Sequence, residues 1–298
     1  MDSEEYKKYV KAGKILQQAK KEAKKLARPG KKMLELAESI EAFIEENSGK
    51  PAFPVNLSAN NCAAHFTPSE NDERTVKEND VLKIDVGVHV DGFIADSAVT
   101  IDFSGEHGKM VEAAEQALEN ALSVVKVGAT VGKIGEEIER TIKKAGFNPV
   151  QNLTGHGLEE YIAHAAPPIP NISRHDDRKL EDGKAYAIEP FATNGRGFVR
   201  ESVQAEIFGL DKAIPVRNTN ARKILEFVQK EYRELPFAER WVSEKLKLSE
   251  FARKVALREL LQKKAIHAYP MLNEEEGRIV TQAETTIFLK DGKMEKLV

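Results

Sequence analysis

The segment that decides the fold is VLKIDVGVHVDGFIADSAVTI, residues 81–101. Its two outer parts, residues 81–88 and 93–101, are rich in β-branched and aromatic side chains, which is typical of strands. Between them stands the pair Asp91-Gly92, a strong signal for a tight turn. The segment therefore predicts an antiparallel hairpin.

Two aspartates of this hairpin share one face in either of the registers that the turn allows. Side chains on a strand alternate between faces with a period of two residues. If the turn has two residues, Asp85 lies opposite Ala98, and Asp96 lies two positions along on the same face. If the turn centre shifts by one residue, Asp85 and Asp96 lie directly opposite each other.

The surroundings of these aspartates are apolar, which makes two adjacent carboxylates costly. Like charges on neighbouring strands destabilise a sheet, and burying an unpaired charge costs several kcal/mol or more. A cation bound between the carboxylates removes both penalties. The alternative for a single acid is a place at a strand end, facing water or an arginine.

An internal repeat supplies two more acids at matching positions. The strand that ends at Asp85 is echoed by LEDGKAYAIE, residues 180–189, so that Glu189 takes the place of Asp85. A later run, TQAET, gives Glu284 the place of Asp96. A pair of predicted helices precedes each acidic strand. The chain therefore reads as two similar halves of an α+β protein.

The second half contains, between its two acidic strands, a segment whose sequence pattern differs from the rest of the repeat. Residues 211–273 contain helical patterns at 223–232 and 251–264, with Trp241 between them. We expect a helical insert subdomain at 211–273 within a catalytic domain that spans 1–298. Residues 51–68, in the first half, are apolar but loop-like.

Histidines are the other candidate site residues. His156 stands between two glycines in LTGHG and just before the strand of Glu189, so it is a candidate metal ligand. One imidazole with four carboxylates suits Mn, Fe, Co or Zn better than a closed structural zinc site. His65 and His164 have no ligand spacing with another donor, and by themselves they read as ordinary histidines.

Composition limits the classes of function. The chain has 298 residues, a net charge of -3 and one cysteine, Cys62. The overall charge gives no strong basic field, so we expect no specific nucleic acid partner. The start lacks a secretory signal, and no apolar run reaches the roughly 20 residues that span a bilayer. We expect a cytoplasmic monomer without membrane contact.

The ordered motifs of the chain resemble the type 2 methionine aminopeptidases, in their archaeal-like form, of the pita-bread metallopeptidase family. The likeness covers nearly the whole chain, and the combination of five ligands is highly specific. It rests on KPAFPVNLS (50–58), NCAAHFTP (61–68), KIDVGVHVDGFIAD (83–96), LTGH (153–156), IEPF (188–191) and QAET (282–285).

The resemblance implies the fold and the metals. It implies the pita-bread fold, with two pseudo-twofold related halves around a curved antiparallel sheet and a helical insert. It also implies two divalent metal ions, chosen from Co, Mn, Fe, Zn and Ni. Asp85 would hold one metal, Asp96 and Glu284 would bridge both, and the other metal would be held by His156 and Glu189.

The resemblance also implies the chemistry. The enzyme would remove the initiator methionine from nascent polypeptides by attack of a metal-activated water on the first peptide bond. Glu189 would move the proton, His65 and His164 would contact the substrate, and Phe53 would form a wall of the methionine pocket. The ribosome is a further candidate partner.

Three departures from the family pattern leave the pocket shape and the tuning of the metals open: Ala166, Ala283 and Thr285. Two rival functions also stay open. One is another pita-bread peptidase, such as a prolidase or aminopeptidase P, although these need extra N-terminal domains that this chain lacks. The other is a non-catalytic relative that binds RNA or ribosomes, although such relatives lose metal ligands.

Overall fold

A computed structural model describes residues 3–298 of the chain, without the side chain of residue 3. The helices are α1 (Ser3–Leu26), α2 (Met33–Glu46), α3 (Gly108–Val124), α4 (Val131–Lys144), α5 (Thr219–Glu231), α6 (Glu239–Leu246) and α7 (Glu250–Gln262). None of them, within that range, is long and apolar enough to cross a membrane.

The strands differ in length, and the longest are the two of one hairpin. In chain order they are β1 (Lys50–Pro51), β2 (Asn56–Ala59), β3 (Cys62–Ala64), β4 (Val81–Val90), β5 (Phe93–Asp102), β6 (Asn148–Pro149), β7 (Thr154–Glu159), β8 (Ile162–Pro170), β9 (Ala185–Ile188), β10 (Phe191–Thr193), β11 (Arg200–Glu201), β12 (Ile207–Leu210), β13 (Phe237–Ala238), β14 (Ile266–Tyr269), β15 (Leu272–Asn273), β16 (Val280–Gln282), β17 (Thr285–Lys290) and β18 (Lys293–Lys296).

The hairpin β4–β5 forms in the first of the two predicted registers. Asp85 pairs with Ala98, and Asp96 pairs with Gly87. The register that places Asp85 directly opposite Asp96 is therefore wrong, because a two-residue turn at Asp91-Gly92 sets the pairing. β1 and β2 flank β4 on its other edge.

Each half packs a pair of helices on one face of its sheet. In the first half, α1 and α2 share a core with alternate residues of β4, among them Ile84 and Val86. In the second half, α3 and α4 pack on the five-stranded sheet in the order β18-β17-β9-β7-β8. Helix α4 shows how sequence sets this arrangement: Thr130 caps its first turn, and its buried residues Ile134 and Ile138 recur at helical spacing.

The predicted repeat has a direct structural counterpart. Gly30 donates its amide to the carbonyl of Val76 over 2.8 Å, and Gly128 donates to the carbonyl of Leu180 over 2.8 Å. The two glycines occupy the same place in the two sequence repeats, and both have a positive φ. The α+β class and the two similar halves are therefore confirmed.

The two halves meet through side-chain hydroxyls rather than a continuous backbone ladder. The Thr286 hydroxyl accepts from the Asp96 amide and donates to the Asp96 carbonyl, each over 2.7 Å. The Thr100 hydroxyl likewise donates to the Gln282 carbonyl over 2.7 Å and accepts from the Gln282 amide over 2.8 Å. We call this line of contacts between β5 and β16–β17 the hydroxyl seam.

Helices α5, α6 and α7 lie between the acidic strands of the second half and build a hydrophobic cluster of their own. Two of them match the predicted helical patterns, whereas α6, which contains Trp241, was not predicted. The assignment of 211–273 as an insert subdomain stays a prediction. The interpretation of residues 51–68 as a loop is corrected, because they contain β2 and β3, whose pairing with β4 and β15 makes up for their short length.

Candidate metal centre

A cavity of about 510 Å³ opens where the two halves meet. All eight residues that the sequence singled out contribute to its wall, although they come from segments up to 231 residues apart in the chain. They are Phe53, His65, Asp85, Asp96, His156, His164, Glu189 and Glu284. We call Asp85, Asp96, Glu189 and Glu284 the acid cluster.

The hairpin aims its two aspartates away from the helices. Residues Ile84 and Val86 face the core beneath α1 and α2, so the alternation along β4 turns Asp85 to the opposite face. Asp96 lies on that same face of β5, and only 3% of it is exposed. The register of one turn thus brings both carboxylates to the cavity.

The glutamates reach the cavity from strand ends. Ile188, the last residue of β9, pairs with Thr285, the first residue of β17. The next residues outward in this register are Glu189 and Glu284, which therefore leave the sheet side by side. Glu284 is 3% exposed.

His156 presents one ring nitrogen to the acid cluster. Its Nδ1 lies 3.1 Å from the Gly157 carbonyl oxygen, which only accepts, so Nδ1 carries the proton and donates. Its Nε2 then has a free lone pair, and it lies 3.7 Å from Asp96 Oδ2 and 3.5 Å from Glu189 Oε1. This is the tautomer that a metal-binding imidazole needs.

Small residues beside His156 let the strands approach. A Cβ on Gly155 would lie 2.4 Å from the Ala187 carbonyl oxygen, and a Cβ on Gly157 would lie 2.4 Å from that of Ala166. Both separations are impossible contacts, so each glycine is required for close packing around the ligand.

Burial and mutual repulsion favour neutral acids when no cation is bound. Burial raises the pKa of Asp85 to about 6. Burial, followed by the charge of Asp85, raises the pKa of Asp96 well above its usual value, and the pKa values of Glu189 and Glu284 are raised by burial and by neighbouring acids. Burial lowers the pKa of His156 to about 3, so its imidazole is neutral.

The donor set fits divalent metal ions. Ligand atoms of Asp96, His156 and Glu284 lie within 4.8 Å of one another. Atoms that are each about 2.1 Å from one ion lie about 3.0–3.4 Å apart, close to the separations around His156 Nε2. Asp85 Oδ1 and Asp96 Oδ1 are buried without a hydrogen-bond partner, and a cation satisfies such oxygens.

Gln282 is a site residue that the sequence argument missed. Its Nε2 lies 3.3 Å from Asp85 Oδ2 and 3.3 Å from Glu284 Oε2, so one amide group contacts acids of both halves. The signal was present, because Gln282 stands two residues before Glu284, where strand alternation returns a side chain to the same face.

The two remaining histidines flank a tyrosine at the cavity wall. The Tyr269 ring lies 5.5 Å from the His65 ring and 5.7 Å from the His164 ring, measured between centroids. The His164 ring in turn lies 4.8 Å from that of His156. Burial lowers the pKa of both His65 and His164 to about 4, so both are neutral at pH 7. No local pattern pointed to Tyr269.

Phe53 forms an apolar wall near the aspartates. A Cβ on Gly87 would lie 2.3 Å from Phe53 Cε1, so the ring rests directly on the glycine between the two acidic positions of the hairpin. Leu153, Phe191 and Ile207 add further apolar surface to the cavity. One part of the cavity is therefore suited to an apolar side chain.

Comparison with known sequences gives a family match. The sequence model of metallopeptidase family M24 matches residues 7–210. The chain is also 48% identical over 292 residues to a methionine aminopeptidase of Archaeoglobus fulgidus, and the alignment covers 98% of each chain.

Solved structures share the fold at low sequence identity. The structure of a thermophilic Arx1 matches with a TM-score of 0.87 at 19% identity, covering 100% of this chain and 91% of that one. A methionine aminopeptidase of Thermotoga maritima matches with a TM-score of 0.72 at 21% identity, covering 100% of this chain and 97% of that one. These likenesses concern the fold alone, and the predicted pita-bread fold is confirmed.

Proposed function

The chain belongs to metallopeptidase family M24, among its methionine aminopeptidases, and from that premise we propose that the acid cluster and His156 hold two divalent metal ions for the reaction. The enzyme removes methionine from the N-terminus of polypeptides. The finer assignment is to type 2, and it is supported by the order of the motifs and by the helices between Glu189 and Glu284.

The metal ligands divide between the halves. Asp85 would hold one ion, Asp96 and Glu284 would contact both, and the other ion would be held by His156 and Glu189. Two such ions, when bound, would lower the pKa of a water molecule towards about 7 and so would supply a nucleophile at neutral pH. The candidates are Co, Mn, Fe, Zn and Ni, all of which carboxylate and imidazole ligands can bind.

Glu189 would serve as proton carrier. Since one carboxylate oxygen is enough for a metal, the other is free to accept a proton and deliver it to the leaving amine. Its position supports this role, because burial raises its pKa and so favours its protonated form more than in an exposed glutamate.

The two neutral histidines would contact the peptide differently, His65 as a hydrogen-bond acceptor and His164 as a hydrogen-bond donor. His65 Nδ1 lies 3.2 Å from the Pro270 carbonyl oxygen and therefore donates to it, which leaves Nε2 as an acceptor for a substrate N–H group. His164 is neutral because burial lowers its pKa, and its N–H would donate to the oxygen of the scissile carbonyl as negative charge develops there.

The substrate would enter with its methionine side chain against Phe53 and its amine near Asp85. Nascent polypeptides that begin with methionine are the substrates we propose, with the ribosome as a candidate partner, a monomeric state and a cytoplasmic location. The apolar part of the cavity wall supports this choice, since Met is flexible and polarizable and fills irregular apolar space.

The observation that carries the proposal is the convergence of four acids, two of them buried and two half-buried, with a neutral imidazole on one cavity. The test is release of methionine from Met-Ala-Ser by protein dialysed against EDTA and then titrated with Mn or Co. We expect no activity without metal, and two equivalents of metal bound per chain at full activity.

Met-Pro and Pro-containing dipeptides serve as the substrate control in the same assay, because a prolidase would prefer them. Full activity after metal removal, or one equivalent of metal at saturation, would contradict the two-metal assignment. Preference for the proline substrates would contradict the methionine assignment.

A further inference from the structure

The exposed side of α1 carries a row of basic residues that the peptidase reaction does not use. At about 100° per residue, the row falls within about 80° of the helix circumference and extends for about 27 Å. All of its members are exposed. We call Lys7, Lys11, Lys14, Lys21 and Lys25 the basic stripe.

This part of the chain is charged opposite to the rest. Residues 7–28 contain nine Lys and Arg residues against one acid, Glu22, which gives a charge of +8. The whole chain carries -3, so the remaining residues carry -11. The small net charge therefore hides a strong separation of charge, and a basic surface of this kind attracts polyanions.

The positive charges of the basic stripe are only partly neutralised by acids, and their proximity destabilises helix α1. Among the described residues, Lys11, Lys14 and Lys21 form no ion pair, whereas Lys7 pairs with Glu4 at 2.6 Å and Lys25 pairs with Glu22 at 3.4 Å. Like charges three or four positions apart destabilise a helix by roughly 0.2–0.5 kcal/mol per pair. Other helices avoid this cost with acids at that spacing, as in the pair Lys254–Glu250 of α7 at 2.6 Å.

We propose that the basic stripe is a docking surface for the sugar-phosphate backbone of structured RNA. Phosphates are contacted mainly by Lys, Arg and polar side chains, without reading sequence. This proposal concerns backbone contacts, and it modifies the expectation from net charge that no nucleic acid is bound. It does not depend on the assignment of the metal ligands.

Two other kinds of partner fit the stripe less well. Protein interfaces are depleted in Lys and depend on buried aromatic or Arg anchors, whereas the exposed side of α1 offers Lys with Gln17 and Gln18. A membrane-surface helix inserts an apolar face, but the apolar face of α1, with Ile15 and Leu16, is buried in the protein core.

The place of α1 leaves the reaction cavity free. Helix α1 packs on the face of β4–β5 that carries Ile84 and Val86, and the opposite face carries Asp85 and Asp96 towards the cavity. RNA bound along the stripe therefore lies behind the sheet and does not cover the cavity.

The experiment measures binding of the full-length protein to a short fluorescein-labelled RNA duplex by anisotropy, between about 50 and 200 mM KCl. Each phosphate contact adds roughly 0.7–0.9 to the salt slope of log K. The variant K11Q/K14Q/K21Q is expected to bind about tenfold or more weakly and to lose about 2–3 from that slope. Its release of methionine from Met-Ala-Ser stays unchanged.

The matched control is K109Q/K133Q/K144Q, which removes the same charge from exposed positions of α3 and α4. It is expected to bind RNA as the unmodified chain does. Equal effects of the two triple variants, or no effect of either, would overturn the proposal. So would displacement of the RNA by poly-glutamate at equal charge, or tighter binding to phosphatidylserine vesicles, since each shows a different occupant.

Discussion

The two halves of the molecule deliver carboxylates to the same cavity in different ways. The first half uses one unbroken hairpin, with Asp85 and Asp96 inside ten-residue strands. The second half uses strand ends that are 95 residues apart in the chain, where Glu189 follows β9 and Glu284 precedes β17. The structural repeat is therefore only approximate at the acid cluster.

The side chains reflect this difference in backbone. Aspartates stand where the strand itself runs beside the cavity, and glutamates, longer by one methylene, stand where the sheet has ended. The contrast indicates that the two halves place their ligand oxygens alike, although their backbones approach the cavity differently. In each half, the length of the acidic side chain should therefore match the distance from the backbone to the metal.

The largest expected effect comes from removing the charge of the hairpin acid that would contact both metals. Asp96→Asn should lower kcat/KM for Met-Ala-Ser at least about 1000-fold, because both metals lose a ligand. In the metal-free state the same variant should be more stable by about 1–3 kcal/mol at pH 7.5, since a buried carboxyl whose pKa is raised by folding destabilises the folded state at any pH above its unfolded pKa. Calorimetry of the EDTA-treated proteins measures the second effect.

The control for this prediction is Asp102→Asn at the far end of β5, whose carboxylate holds a surface turn. It should leave turnover unchanged. Native turnover of Asp96→Asn with two bound metals would show that Asp96 is not a required metal ligand.

An exchange of side-chain length tests the comparison most directly. Asp96→Glu and Glu284→Asp should each weaken metal binding by about 10–100-fold or more, because an oxygen moves by about one methylene from its place. Isothermal titration with Mn gives the affinities. If the double exchange restores Mn affinity, the changes of side-chain length in the two halves compensate each other. If either single exchange leaves Mn affinity unchanged, the side-chain length is not matched to the backbone position in that half.

The pH dependence of metal affinity shows whether the acids of both halves titrate together. In the metal-free protein burial raises the pKa of Asp85 to about 6, so this carboxyl is mostly protonated at pH 5 and mostly ionised at pH 7. A metal binds the ionised form, so affinity for Mn should fall by about tenfold or more from pH 7 to pH 5. The raised pKa of Glu284 adds to the fall in the same direction.

His156 adds nothing to this pH dependence, because its pKa of about 3 keeps it neutral throughout. Proton release on metal binding, measured by titration in buffers of different ionisation enthalpy, is the check. An affinity independent of pH between 5 and 7 would mean that these acids are already ionised without metal.

The smallest expected effect on turnover comes from a substitution in the hydroxyl seam that joins the halves, and the effect to measure there is on the free energy of unfolding. Thr286→Val removes the acceptor of the Asp96 amide, and the buried N–H then costs about 1–3 kcal/mol of unfolding free energy. Denaturant unfolding measures it, with Thr219→Val, at the first residue of α5, as a control. A loss of stability no larger than in the control would mean that the seam does not hold the halves together.

The sequence by itself determined the parts of the site that local geometry controls. A two-residue turn at Asp91-Gly92 and the alternation of a strand were enough to place Asp85 and Asp96 on one face, in one of two registers. The repeat then pointed to Glu189 and Glu284, because duplicated segments fold alike.

The structure showed which of the two registers the turn selects, and only the tertiary packing decided what surrounds the acids. It placed Tyr269 between His65 and His164, and it brought Gln282 within reach of acids from both halves. Except for the contact of Gln282 with Glu284, these contacts join residues more than 100 positions apart, and they depend on how two helix-covered sheets pack against each other. Strand periodicity and turn chemistry act over a few residues and carry no information about that packing.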